Sequence, residues 1–224
     1  MNVFSRLTLA ALILVATASL AQQSPPATIS FSLDFPQSIP DHYVVTVSSD
    51  RHATYDSTGK LTPESDPGDP FHDEFTVSPD TCKKIFDLAA KVKYFEGQID
   101  SGNKKLASTG VKILKYEEGT RKTEATYNYS PIPAVQQITA VFQNISTTLE
   151  FGRRLDFFYR HQKLALEDEL KHMEESAKSN NLGEIQAIAP ILQRIAADHS
   201  VLNVTRARAQ RLLRTANATT VAGS

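Results

Sequence analysis

The spacing of apolar residues changes character at Glu150, and that change limits the folds open to this chain. Before it, short stretches alternate apolar and polar side chains: ISFSLD (29–34), HYVVTVSS (42–49) and the run from Phe71 to Val77. A period of two is the mark of half-buried strands, because successive side chains leave opposite faces of a sheet. After it, Phe151, Leu155, Phe158, Leu166, Leu170, Met173 and Ala177 recur in steps of three or four, with Gln162 filling one slot. That is the stripe of an amphipathic helix. Strands grouped early and helices grouped late predict an α+β chain: an antiparallel sheet with helices on one face, followed by a C-terminal antiparallel helical hairpin.

Turn chemistry places the early elements. Ser49-Asp50-Arg51 joins one strand pair, and Glu117-Glu118-Gly119-Thr120 joins a second between Val111–Tyr116 and Thr123–Tyr129. Ser78-Pro79-Asp80 opens a helix that runs to about Tyr94: an N-cap hydroxyl, a proline at the first turn, and an acid at the positive end of the dipole. Ser130-Pro131-Ile132-Pro133 opens another. Leu61 to Pro70 (LTPESDPGDP) reads as a surface loop.

Arg6 followed by LTLAALILVATASLAQQ has the basic start, the apolar run and the small residues of a secretory signal, with cleavage expected after Ala21. The expected division is therefore a signal peptide over 1–21, a Pro-rich linker over 22–28, an α+β domain over 29–150, a helical hairpin over 151–215 and a disordered tail over 216–224. An exported protein, periplasmic or extracellular, with no membrane span is expected. The formal net charge of −1 argues against nucleic acid as a partner, since that binding demands a basic footprint. Cys82 lies on one helical stripe with Ile85, Phe86 and Ala89, where a lone thiol acts as a small buried hydrophobe.

The order of these elements is an alternating strand, a strand pair, a Ser-Pro-started helix, a hairpin and a Pro-started helix. Over residues 29–150 it resembles a family of uncharacterised bacterial exported α+β domains, a domain of unknown function. That family carries a Gly-Cys…Cys-Pro feature before its first hairpin, where this chain reads FPQSIPDHY without cysteine. The resemblance implies an exported α+β fold and no activity.

In the late region, Ser179-Asn180-Asn181-Leu182-Gly183 breaks the helix and sets the hairpin tip near Asn181, and His199-Ser200 offers a second break. Counting from that tip puts Asp168 opposite Arg194. It also brings Arg153, Arg154 and Arg160 near Arg206, Arg208, Arg211 and Arg214, a basic cluster expected to face the acidic domain. The apolar arc after the tip is wider than a two-helix arm can cover, so Ile188, Ile191 and Ile195 either form an interface or are covered by the arm folding back on the sheet or on the helix of Pro133 to Ser146.

Residues capable of chemistry are sparse. Glu169-x-x-His172 has the spacing of a helix-bundle di-iron ligand pair, but the second such pair is missing, so LEDELKHMEE (166–175) reads as a solvated face. His52 beside Asp50 in a turn, and His72 with Glu74 on one strand face, are too few for a triad or a zinc site by themselves. The expectation is a non-enzymatic exported protein, without cofactor or metal, whose helical hairpin binds a protein partner or a second copy. The alternative is a hydrolase or metal-dependent enzyme with a site around His52 and His72.

Overall fold

The computed structural model describes residues 25–36, 38–61 and 70–222, with side chains through residue 216. The segment expected to be a signal peptide and most of the loop from Leu61 to Pro70 lie outside the described residues. Six strands form one antiparallel sheet: β1 (Thr28–Asp34), β2 (His42–Ser48), β3 (His52–Thr58), β4 (Phe71–Thr76), β5 (Val111–Glu118) and β6 (Arg121–Tyr127). Their spatial order is β4-β3-β2-β1-β5-β6, so β1 sits inside the sheet and β4 and β6 are its edges. Phe31 pairs with Val45 on one side and Leu114 on the other. The alternation sends Ile29, Phe31, Val45, Tyr55, Leu114 and Tyr116 to one face, where all are buried, and leaves Ser30, Thr46, Thr54 and Glu124 on the other.

Two helices cover the buried face. The first, α1 (Pro79–Lys91), starts as its sequence dictates: Ser78 Oγ accepts from Thr81 N at 3.2 Å and Pro79 occupies the first turn. Cys82 is buried, its Sγ 3.6 Å from the Ser48 carbonyl oxygen, and burial pushes its thiol pKa up. The turn Lys93–Phe95 that follows has three positive φ angles in succession (52°, 53° and 70°). Left-handed turns cost L-residues about 1–2 kcal/mol each. This one is held by the burial of Phe95 and the stacking of Tyr94 on Tyr116, ring centroids 4.3 Å apart.

The second helix, α2 (Pro133–His161), crosses the whole sheet. Thr139 meets Tyr127 of β6, Phe142 stacks on Phe31 of β1 at 5.6 Å, and Ser146 bonds Tyr55 of β3 at 3.0 Å. Its 29 residues span about 43 Å at 1.5 Å per residue, more than the sheet needs, so its last turns overhang the β4 edge. The helix passes Glu150 without a break, so the residue where the apolar spacing changes is not a structural joint.

The remaining helices pack on that overhang. They are α3 (Leu166–Lys178), α4 (Ala189–Ala197) and α5 (Asn203–Ala222), with 3₁₀ turns at Lys163–Ala165 and Ile185–Ile188. The C-terminal hairpin is the pair α4–α5, and its tip is the turn 198–202, not Asn181. There the Asp198 side chain accepts from Ser200 N at 2.8 Å and from Lys163 Nζ at 2.7 Å. The stripe expected to run unbroken through Gln162 breaks there. Folding back lets Leu166, Leu170 and Met173 become fully buried instead of extending the overhang into water. The Asn181 segment lies against α2, with Gly183 N donating to Asn144 O and to Thr148 Oγ1, each at 3.1 Å. Helix α5 continues to Ala222, past Thr215, although only the alanines of that run are strong helix formers.

Of the two readings of the arc, the interface is corrected and the fold-back onto α2 is what the structure has. Ile188, Ile191 and Ile195 are 5%, 6% and 0% exposed, because α2 and α5 cover the arc that a two-helix arm would have left open.

Candidate functional site

The overhang of α2 past β4 leaves a cleft of about 550 Å³ between the sheet edge and the start of α4. Each wall follows from local sequence. On α2, Leu149, Gly152, Arg153, Asp156, Phe157 and Arg160 repeat at three and four residues, so one helix face supplies them. The β4 edge supplies Phe71 and Asp73, two residues apart and hence on the same sheet face. The approach to α4 supplies Ile188, Pro190, Ile191 and Arg194.

Gly152 sets how closely these parts approach. A Cβ at that position would lie 2.4 Å from Ile188 Cγ2, so the bare backbone is what lets the Ile185–Ile188 turn seat against α2. Behind it sits a buried polar network. Glu150, 3% exposed, accepts from Tyr55 Oη at 2.8 Å and Ser57 Oγ at 2.7 Å, and the Arg153 guanidinium lies 3.8 Å from its other oxygen. Burial, reinforced by the neighbouring Glu150 charge, pushes the Tyr55 phenol pKa well above its usual range. The Arg153 guanidinium also lies over the Phe71 ring, 5.2 Å from its centroid.

Three guanidiniums thus frame the cleft at different depths. The Arg153 side chain is 9% exposed, Arg194 48% and Arg160 62%. Arg160 pairs with Asp156 at 2.6 Å and Arg194 bonds the other oxygen of the same carboxylate, so one acid holds two planar forks at the rim. Asp73, the other lining acid, has its carboxyl pKa raised by burial, which disfavours its charged form. Apolar walls, guanidinium forks and few opposing charges suit a ligand with both an apolar part and a carboxylate or phosphate.

The histidines singled out by sequence do not converge. His52 and His72 both lie on the open face of the sheet, but Asp56 is the register partner of His72 and is four residues from His52, about 13 Å along the strand. His72 Nδ1 sits 2.7 Å from Asp56 and Nε2 3.5 Å from Glu74; the hydrogen bond to Asp56, then that to Glu74, raises its pKa. Among the described residues no group of three or more His, Cys, Asp or Glu side chains could hold a metal ion.

The LEDELKHMEE stretch is corrected in part. Glu169 pairs with Arg154 at 2.7 Å, Glu167 with Arg208 at 2.8 Å, and Glu174 with Arg211 at 2.7 Å and also with Arg208. Arg154, Arg208 and Arg211 are thus neutralised from within the helical bundle, where the acidic domain was expected to do so. The Asp168–Arg194 pairing is replaced by Asp156–Arg194, because the break at Gln162 shifts α3 away from that line.

Phe71, Asp73, Gly152 and Glu150 were missed as site residues. The isolated Gly152 inside a helical apolar pattern was the available signal, since such a glycine marks a close approach. What the fold and cleft define is an α+β protein with an arginine-framed cleft at one sheet edge. Compared with known proteins, the chain matches no family model and no curated protein.

Proposed function

We propose that the protein is an exported, non-enzymatic binding protein, and that its partner is a protein segment presenting acidic and apolar side chains to the α2–β4–α4 cleft. One observation carries the reading. Arg160 and Arg194 are held on one carboxylate at the rim with about half of each side chain still in water, above walls built from Phe71, Leu149, Phe157 and Ile191. Guanidiniums keep their protons at any physiological pH, so they recognise anions and do not shuttle protons. The leader-like segment from Arg6 to Ala21 supports export.

The test is a titration of the full mature chain with a capped peptide of alternating Phe and Asp, followed by ¹H–¹⁵N NMR, beside its Phe/Lys counterpart. Shifts at Gly152, Arg153 and Ile188–Ile191 with the acidic peptide alone are expected, and Arg160→Glu with Arg194→Glu should abolish them. Equal response to both peptides, or to neither, sinks the reading.

An enzymatic reading would move from His52 and His72 to Asp73, whose carboxyl is shifted towards the neutral form, and His161, which lines the same cleft. Turnover of a model ester or phosphoester that is lost in Asp73→Asn would favour it.

A further inference from the structure

At the other end of α2, under the β6 edge, lies a second and smaller cavity of about 270 Å³. Lys112 lines it from an inward-facing position of β5, in line with Leu114 and Tyr116. Its side chain is buried, and a lysine so placed is rarely found without a charged partner. Here Nζ donates only to neutral oxygens: Thr109 O at 3.0 Å, Thr109 Oγ1 at 2.8 Å and Asn128 O at 3.0 Å. The Asp100 carboxylate is committed to the backbone N–H groups of Gly102 and Asn128 and makes no ion pair with Lys112. The ammonium is hydrogen-bonded, but its charge has no counter-ion among the described residues.

The rest of the cavity points the same way. None of its lining residues is acidic. The first turn of α2 opens beside it with no side-chain cap, placing the positive end of a long helix dipole near Lys112. Gln136 and Gln143 line it from one face of that helix, and the Gln143 carboxamide makes no hydrogen bond with any described residue. Tyr129, 46% exposed, lines the cavity, and its hydroxyl accepts from Gln136 Nε2 at 3.1 Å.

We infer that this cavity binds a small hydroxylated carboxylate of the sugar-acid or hydroxy-acid class. The carboxylate faces Lys112, taking over the N–H now donated to the Thr109 hydroxyl, and supplies the missing counter-charge. The hydroxyls meet the Gln143 carboxamide and the Tyr129 hydroxyl, which Gln136 Nε2 holds in place by donating to it at 3.1 Å. The volume fits a molecule of monosaccharide size and lies just under the range of drug-sized ligand pockets, roughly 300–1,000 Å³. Burial lowers the Lys112 pKa, and a bound carboxylate would offset that cost.

The experiment uses the full mature chain and D-glucuronate, with D-glucose and inorganic phosphate as controls, read by calorimetry and by ¹H–¹⁵N NMR. Glucuronate should saturate the site with shifts at Thr109, Asn128 and Gln143, and glucose and phosphate should each bind at least about tenfold more weakly, ~1.4 kcal/mol. Lys112→Met should cost at least as much in affinity with thermal unfolding retained. Gln143→Ala, which leaves Lys112 in place, should weaken glucuronate without affecting the fold. Arg160→Glu with Arg194→Glu should leave glucuronate binding unchanged, which separates this site from the arginine-framed cleft. Glucose binding as well as glucuronate, phosphate binding as tightly, undiminished binding in Lys112→Met, or no binding of glucuronate at all overturns the assignment.

Discussion

Glu184 ties down the N-cap of a helix from 106 residues further along the chain: its carboxylate accepts from Ser78 N at 2.7 Å and from Ser78 Oγ at 2.8 Å. Ser78 in turn receives Thr81 N, so the acid lies behind the N-cap of α1 and complements its positive end. Glu184 does this from a left-handed conformation (φ 55°) and is 7% exposed. The bond is the most direct polar tie between the bundle segment and the sheet-covering helix. Because hydrogen bonds to a charged group contribute about 1.5–3 kcal/mol, Glu184→Ala should lower stability by about 2 kcal/mol. For a chain this size that lowers Tm by roughly 4–8 °C. Thermal unfolding followed by circular dichroism checks it, and an unchanged melting curve would show that the tie contributes nothing.

Gly152 and Ile188 are expected to be coupled. The clash of a new Cβ is with the γ2 methyl, which Leu lacks, so Ile188→Leu should relieve it. Gly152→Ala alone should cost about 1–3 kcal/mol through overpacking. Gly152→Ala with Ile188→Leu should be more stable than the sum of the two single variants by more than about 0.5 kcal/mol. A double-mutant cycle in denaturant measures this; additive behaviour would mean that α2 and the Ile185–Ile188 turn can simply move apart.

The α+β class, the hairpins and both proline-started helices were legible because each rests on local signals: period-two alternation, turn residues and caps. Ser78 and Pro133 begin helices where the sequence places them. The helical region was legible in part: His199-Ser200 marks the break that the structure has at 198–202. The break at Gln162 is decided by where Leu166 finds cover, a tertiary matter that periodicity does not contain. The same limit governs the sites. The arginines of the cleft were visible as charges, but their grouping with Phe71 and Asp73 depends on how far α2 overhangs the sheet. Lys112 occupied an inward slot of a clear β pattern, and the pattern said only that something should be buried there.

Glu174 ties the acid sensitivity of the bundle to two arginines. Burial pushes its carboxyl up, but hydrogen bonds from Arg211 and Arg208 outweigh that and hold the pKa below the usual 4.5. A carboxylate lowered in the folded state contributes its stability fully above the unfolded value and loses it as pH falls through the folded one. Glu174→Gln should therefore be destabilised by about 1 kcal/mol at neutral pH, allowing for solvent screening of a partly exposed pair. The gap to the wild type should close as pH drops below about 4.5 and through the lowered value. Denaturant titrations at a series of pH values check this, and a gap that persists in acid would assign the loss to packing.

Asp156 gives the cleft a prediction opposite in sign to the arginine replacements. It is the carboxylate shared by Arg160 and Arg194, and as long as it is charged it competes with any incoming anion for both forks. Asp156→Asn keeps the shape and removes the charge. The fold should lose little, about 0.5–1 kcal/mol, because both arginines are largely exposed and such pairs are weak. Affinity for the Phe/Asp peptide should rise about three- to tenfold, and that gain should vanish in about 1 M salt, where the Debye length shrinks to ~3 Å. If the variant instead binds more weakly at unchanged stability, Asp156 acts by orienting the guanidiniums, and their planar alignment, more than the net charge of the rim, selects the ligand.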